Sequence, residues 1–307
     1  MSSENVKLRL GTRASALARW QANWVAARLQ ERGIGVELVP IVTQGDVKSG
    51  PLGQIGGQGL FTKELQRALL DERIDLAVHS LKDLPTEEVV GLAIAAVPER
   101  ESTADVLISS RANSIESLPP AARIGTGSLR RKAQLLHLRP DLVIEDIRGN
   151  VETRLRKLDE GQYDAIVLAE AGLRRLGFSE RIAALISSPQ MLPAIGQGAL
   201  GIESRSADEP VRAVLAALDH PPSHHAVLAE RTLLSRLRAG CLAPVGAWAR
   251  YEHDRLLLDA VVLSPDGAKR LTASDSSSDD PIALGERVAQ LLLAQGAADL
   301  ISQSRHR

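Results

Sequence analysis

Lys82 and Asp83 stand side by side just after the apolar run 74–78. A lysine and a carboxylate together at the carboxyl end of a strand can move protons or hold a cation. Taken alone, the pair serves equally as a surface salt bridge, and the neighbouring His79 reads as a hydrogen-bonded structural histidine. The stretch G125-T-G127-S-L-R130 follows one apolar run and opens a helical one. It has the outline of a dinucleotide fingerprint, but Arg130 stands where a third glycine should permit close helix–strand packing. The same geometry suits carboxylates better: free N–H groups at a helix start, with Arg130 and Arg131 as forked donors beside Ser128. A solvated helix face is the plainer reading of the two arginines.

Arg148-Gly149-Asn150 occupies the next strand-to-helix turn, and Arg154 lies one turn into the helix that follows. These side chains belong at the same end of one sheet as Arg130. Arg13, placed just after the first strand, has the equivalent position in a second unit and would face them across a cleft. Cys241 is the only cysteine, so no internal disulfide and no cysteine-based metal cluster can form. A lone cysteine is commonly an inert buried residue; its place between a helix and a strand leaves a chemical role open. Residues 45–60 hold six glycines among sixteen residues, but Lys48-Ser49 follows Val47 and not the glycine a nucleotide P-loop requires, which argues against such a loop and leaves a surface loop or a lid.

The elements that must position these groups alternate. Residues 6–11 read as a strand, followed by a helix with Leu17, Trp20, Trp24 and Ala27 as its apolar stripe. A strand at 36–42, a helix marked by Phe61, Leu65 and Leu69, and a strand at 74–78 continue the rhythm. A second set has strands at 105–108, 123–125, 143–147 and 165–168, with helices lined by Leu129, Ala133 and Leu136 and by Val151, Leu155 and Leu158. This βαβα order predicts largely parallel sheets covered by helices. Beyond residue 221 a helix carries Ala226, Ala229, Leu233 and Leu237 and stops at Gly240. Alternating runs at 245–251 and 256–262, a polar loop at 274–280, and a last helix with Leu284, Val288 and Leu291 on one side predict a small α+β domain.

Bulk composition narrows the function. There are 37 basic and 38 acidic residues among 307, so no global field draws in nucleic acid or an anionic membrane. Charge is uneven, however: from 123 to 157 there are nine Arg or Lys against four acids. A basic stretch within a neutral protein suits a bounded anionic ligand. The start MSSENVKLRL lacks signal-peptide character, and no apolar run approaches the ~18 residues of a membrane span, which predicts a cytoplasmic protein.

Eight stretches in register resemble the porphobilinogen deaminase (hydroxymethylbilane synthase) family: GTRASALA at 11–18, GGQGLFTKEL at 56–65, VHSLKDLP at 78–85, GTGSLRRKAQL at 125–135, RGNVETRL at 148–155, AIVLAEAGLRRLG at 165–177, PAIGQGALGIE at 193–203 and AGCLAPVG at 239–246. The resemblance implies an α/β protein with two periplasmic-binding-protein-like domains, a cleft between them, and a smaller C-terminal α+β domain. Boundaries at 1–98 with 197–218, at 104–192 and at 222–307 follow. It implies a monomeric transferase of tetrapyrrole and heme biosynthesis, with no metal and no nucleic-acid or membrane partner. Such an enzyme joins four porphobilinogen molecules head to tail, with loss of ammonia, into hydroxymethylbilane. By that resemblance Cys241 holds a dipyrromethane primer through a thioether, and Asp83 is the catalytic carboxylate, with Lys82 beside it. Arg13, Ser15, Lys82, Ser128, Arg130, Arg131, Arg148, Gly149, Arg154 and Arg175 bind acetate and propionate groups.

Some positions depart from the family pattern. Gln44 and Gln58 stand where basic residues are common, and E101-S-T-A-D105 replaces the usual E-D-P-R-D, so Ala104 lacks an arginine. A receptor for an anionic metabolite also accounts for two α/β lobes and the arginines. It leaves Lys82-Asp83 and the Cys241 segment unexplained.

Overall fold

The computed structural model describes residues 7–42, 62–240 and 243–305. In chain order the elements are β1 (Leu8–Thr12), α1 (Ala16–Gln30), β2 (Val36–Pro40), α2 (Lys63–Leu70), β3 (Leu76–Ser80), β4 (Leu92–Ala96), β5 (Asp105–Ile108), β6 (Arg123–Gly125), α3 (Leu129–Leu138), β7 (Val143–Glu145) and α4 (Val151–Asp159). There follow β8 (Ala165–Ala169), α5 (Glu170–Arg175), β9 (Ala184–Ile186), β10 (Leu200–Arg205), α6 (Glu209–Ala216), α7 (Pro221–Arg236), β11 (Val245–Glu252), β12 (Arg255–Leu263), β13 (Arg270–Ser277), α8 (Pro281–Ala294) and α9 (Ala297–Arg305). The chain forms two compact units, residues 1–100 with 199–224, and 101–198 with 225–307.

The first unit is built on a five-stranded sheet ordered β2-β1-β3-β10-β4. The second holds a five-stranded sheet ordered β7-β6-β8-β5-β9 and a three-stranded meander β11-β12-β13. Both five-stranded sheets share one plan: three parallel strands, then one antiparallel strand that reaches its place by a long connection. The expectation of largely parallel sheets is therefore corrected to mixed sheets. β10 and β5 are distant in sequence from the strands they pair with, and alternation of strand and helix cannot register such an insertion.

Helix α1 buries Gln21, Ala22, Val25, Ala26 and Leu29, not the expected stripe of Leu17, Trp20, Trp24 and Ala27. Small residues at 22 and 26 let the helix approach the sheet closely, and Trp20 is left exposed. Trp24 packs only at the edge of this core, with the Arg28 guanidinium 5.4 Å from its ring centre. Further changes fall in the second unit. Residues 274–277, read as loop, complete strand β13, whose register pairs Ser274 with Asp259 and Ser277 with Leu256. Helix α7 ends at Arg236, and α8 buries Leu284, Gly285, Val288, Ala289 and Leu292 while Leu291 is exposed. Gly285 is required there, because a Cβ would lie 2.5 Å from the Ala229 carbonyl oxygen of α7.

Within the second unit Val261 and Leu263 of the meander share a small core with Ala133 of α3 and the loop residue Leu192, flanked by Trp248. The turn after β12 docks on α3 through Gly267. Its φ is +76°, and a Cβ would lie 2.5 Å from the Ala133 carbonyl oxygen. His137 Nδ1 lies 2.9 Å from the Gly267 carbonyl.

Candidate active site

In the first unit a hollow is lined by Arg13, Ser15, Gln21, Thr62, His79, Ser80 and Asp83, among others. Ser15 caps α1, accepting from the Ala18 N–H at 3.4 Å, and so fixes the turn that carries Arg13. Gln21 Nε2 donates to Ser80 Oγ at 2.7 Å. Strand β3 ends at Ser80, and a single 3-10 turn, Leu81–Asp83, follows it. The Leu81 N–H donates to the Ala199 carbonyl at 3.0 Å, and the Leu84 N–H closes the turn on the Leu81 carbonyl at 3.1 Å. The buried Leu81 holds the turn down while Asp83 is exposed at the hollow. Lys82 shares the turn, half-buried.

Beneath the hollow, His79 Nε2 lies 3.1 Å from Glu203 Oε2, both residues 5% exposed, and Gln66 Nε2 donates to Glu203 Oε1 at 3.0 Å. His79 is thus the hydrogen-bonded histidine that its neighbourhood suggested. Thr62 Oγ1 is buried with no hydrogen-bond partner among the described residues.

In the second unit the turns after β6 and β7 lie against each other. A Cβ on Gly127 would be 2.9 Å from Asp146 Oδ1 and 3.4 Å from Arg148 Cζ. Ser128 caps α3 and Asn150 caps α4, each accepting from a backbone N–H three residues on. Arg148 Nε donates to Asp146 Oδ2 at 2.7 Å, and Arg154 Nε donates to the Gly149 carbonyl at 2.8 Å. Gly149 has φ +113°, and a Cβ there would meet Thr153 Cγ2 at 2.6 Å. Ser128, Arg148, Gly149 and Arg154 are therefore gathered at one end of one sheet.

Arg130 and Arg131 are placed differently from a solvated helix face. Both are buried, and both reach Asp105 at the start of β5. Arg131 donates to Asp105 Oδ1 from Nε at 3.0 Å and Nη2 at 2.8 Å, and Nη1 donates to the Val167 carbonyl at 3.0 Å. Arg130 Nη1 donates to the Leu192 carbonyl at 2.6 Å and lies 2.7 Å from Asp105 Oδ2, while its Nε is buried without a partner among the described residues. Gln197 Nε2 adds a third donor to Asp105 at 3.0 Å. Burial alone would raise the Asp105 carboxyl, but the Arg130 and Arg131 charges outweigh it and hold the group well below the usual carboxylate range. Burial pushes the Arg130 guanidinium down from its ordinary value.

Arg175 Nη2 donates to the Gly198 carbonyl at 2.7 Å, and burial lowers its guanidinium as well. Cys241, Gln44, Gln58 and the glycine-rich stretch 45–60 lie outside the described residues. Sequence reasoning missed Asp105, although a carboxylate heading the otherwise apolar strand D-V-L-I is a signal of a buried counter-ion. It also passed over Glu203, Gln66 and Thr62, whose partners or cavities are remote in sequence. Among the described residues no group of three His, Cys, Asp or Glu could hold a metal ion, and no helix is long and apolar enough to cross a membrane.

Residues 8–213 match the family model "Porphobilinogen deaminase, dipyromethane cofactor binding domain", and residues 224–294 match "Porphobilinogen deaminase, C-terminal domain". The chain belongs to the porphobilinogen deaminase family. Porphobilinogen deaminases of two Acidithiobacillus ferrooxidans strains are each 48% identical over 302 residues, covering 97% of this chain and 98% of theirs. A TRAP periplasmic solute binding protein from Desulfovibrio salexigens aligns over 70% of this chain and 72% of its own, at 12% identity and a TM-score of 0.44.

The residues present fit the dipyrromethane group that this family carries. Such a group bears several carboxylates. The second unit offers two capped helix starts at adjacent turns, Arg148 and Arg154 on the β7–α4 segment, and an unpartnered buried Nε on Arg130.

Proposed function

We propose that this chain condenses porphobilinogen head to tail into a linear tetrapyrrole, with Asp83 as its catalytic carboxylate and Cys241 as the attachment point of a dipyrromethane primer. The observation that carries the reading is the exposed Asp83 carboxylate, held on a rigid turn at a hollow it shares with Arg13 and Ser15. When bound, the dipyrromethane supplies the free pyrrole α-carbon that the reaction extends.

Each protein group then has a defined task. Arg13, Ser15 and Lys82 orient the acetate and propionate groups of the incoming pyrrole, a positioning effect that lowers the barrier before any bond changes. As ammonia leaves the aminomethyl carbon, positive charge develops on the substrate. Asp83 neutralises it in place, without solvent reorganisation. The same carboxylate accepts the proton lost from the pyrrole α-carbon after the new carbon–carbon bond forms. Ser128, Gly149, Arg148 and Arg154 hold carboxylates of the primer and of the pyrrole chain growing on it, Arg130 adds its Nε, and Arg131 keeps Arg130 and Asp105 in register. Arg175 fixes the Gly198 carbonyl and lends its charge to the same ligand.

The reading extends to a cytoplasmic monomer that acts on a small molecule and has neither nucleic acid nor membrane as partner. The experiment that tests it is Asp83→Asn. Turnover of porphobilinogen should fall by about 10²–10³ for the lost charge, and further for the lost proton acceptor, while the fold and the primer mass are kept. Turnover near the parent value would refute the assignment.

A further inference from the structure

The Arg148 guanidinium is not presented bare. Its Nε donates to Asp146 Oδ2 at 2.7 Å, with the two side chains 35% and 50% exposed. Asp146 is itself anchored: the Tyr163 hydroxyl donates to its carbonyl at 2.9 Å. Lys157 Nζ donates to the Arg148 carbonyl at 3.2 Å, and Arg154 Nε to that of Gly149, so the whole 146–150 turn is tied from three sides. Gly127 closes the arrangement, since a side chain there would run into Asp146 Oδ1 at 2.9 Å.

We infer that Asp146 is a positioning residue that both aims the Arg148 guanidinium and tempers its grip on anionic ligand. This rests on the proposed reading that Arg148 binds carboxylates of a growing pyrrole chain. Engaging Nε with Asp146 leaves the Nη edge as the face a ligand carboxylate would meet, in a fixed plane. The nearby negative charge at the same time lowers the local positive potential. An enzyme that must hold a chain gaining two carboxylates at every step, and then release it, needs that balance. An arginine aimed in the same plane but without that neighbouring charge would favour holding over release.

The test uses holoenzyme exposed briefly to porphobilinogen, denatured at intervals and weighed intact. Asp146→Asn keeps an acceptor for Nε and removes only the charge. Species with the most pyrroles added should persist longer than in the parent by about two- to fivefold, the scale of one partly exposed ion pair. Asp146→Glu keeps the charge and should restore parental lifetimes. Asp146→Ala frees the guanidinium and should instead raise KM and shorten the added chains. An unchanged or shortened lifetime in Asp146→Asn, or a lengthened one in Asp146→Glu, overturns the inference. If the parent enzyme shows no stepped masses at all, the proposed function fails rather than this deduction from it.

Discussion

Leu81 occupies space that Gly201 leaves open: a Cβ on Gly201 would lie 2.3 Å from Leu81 Cδ1. Gly201 pairs with His79 across the β3–β10 ladder, so the strand that carries the buried histidine and the turn that carries Asp83 are fixed by the same neighbour. The Leu81 N–H is bonded to the Ala199 carbonyl of the same incoming segment. Asp83 is therefore held from below by a hydrophobic plug and not by bonds to its own carboxylate among those described.

That arrangement makes Leu81→Ala a change in position as well as in stability. Truncating a fully buried leucine costs about 2–5 kcal/mol, visible as a lowered urea midpoint. The turn should also lose its anchor. A misplacement near 1 Å can cost about 10²-fold in rate, so kcat of the folded enzyme should fall well beyond the loss of folded protein. A parental kcat in the folded fraction would show that the plug does not position Asp83.

The buried Asp105–Arg130–Arg131 cluster predicts a pH signature. The Asp105 carboxyl titrates below its unfolded value of about 4, so the folded state binds fewer protons than the unfolded one in that range. Its contribution is fully present above pH ~4 and is lost as pH falls from there toward the folded value. Asp105→Asn leaves two buried arginines without a counter-ion and should cost about 3–5 kcal/mol at neutral pH. Melting temperatures of parent and variant, measured from pH 6 down to pH 3, should keep a constant gap down to pH ~4 and begin to draw together below it. A gap that stays constant throughout that range would show that Asp105 is not the ionised partner.

Much of this chemistry was legible because it sits where local pattern is strong. Lys82-Asp83 and Arg148-Gly149-Asn150 mark places where an apolar strand gives way to a helix or turn, and the chain alone shows such boundaries. The burial of Arg130 and Arg131 was not legible, because their partner Asp105 lies 25 and 26 residues earlier and is joined to them only through sheet order. The antiparallel insertions of β5 and β10 escaped for the same reason. Strand β13 ends in a run of serines and aspartate that reads as loop, and only pairing with β12 gives it extended structure. On α1 the larger tryptophans suggested one face, whereas the sheet accepted the face with alanines.

The arginines predict distinct stages of failure. Arg13 belongs to the hollow that holds Asp83, whereas Arg148 lies in the turn after β7 and Arg154 one turn into α4. Arg13→Leu, Arg148→Leu and Arg154→Leu should therefore stall the enzyme with different numbers of pyrroles attached, seen as stepped increments of intact mass. Uniform, mild increases in KM without stalled species would mean that these side chains are ordinary surface charge.

Cys241 is the only thiol in the chain, so a thioether-linked primer can be attached nowhere else. The most direct measurement is the intact mass of the denatured protein beside that of Cys241→Ser. The parent should exceed its sequence mass by two linked pyrrole units, and the variant should lack both the excess and the release of ammonia from porphobilinogen. Primer-bound parent should also unfold at higher temperature than the primer-free form, since a ligand held only by the native state stabilises it. A parent with the bare sequence mass that still releases ammonia from porphobilinogen would contradict the account.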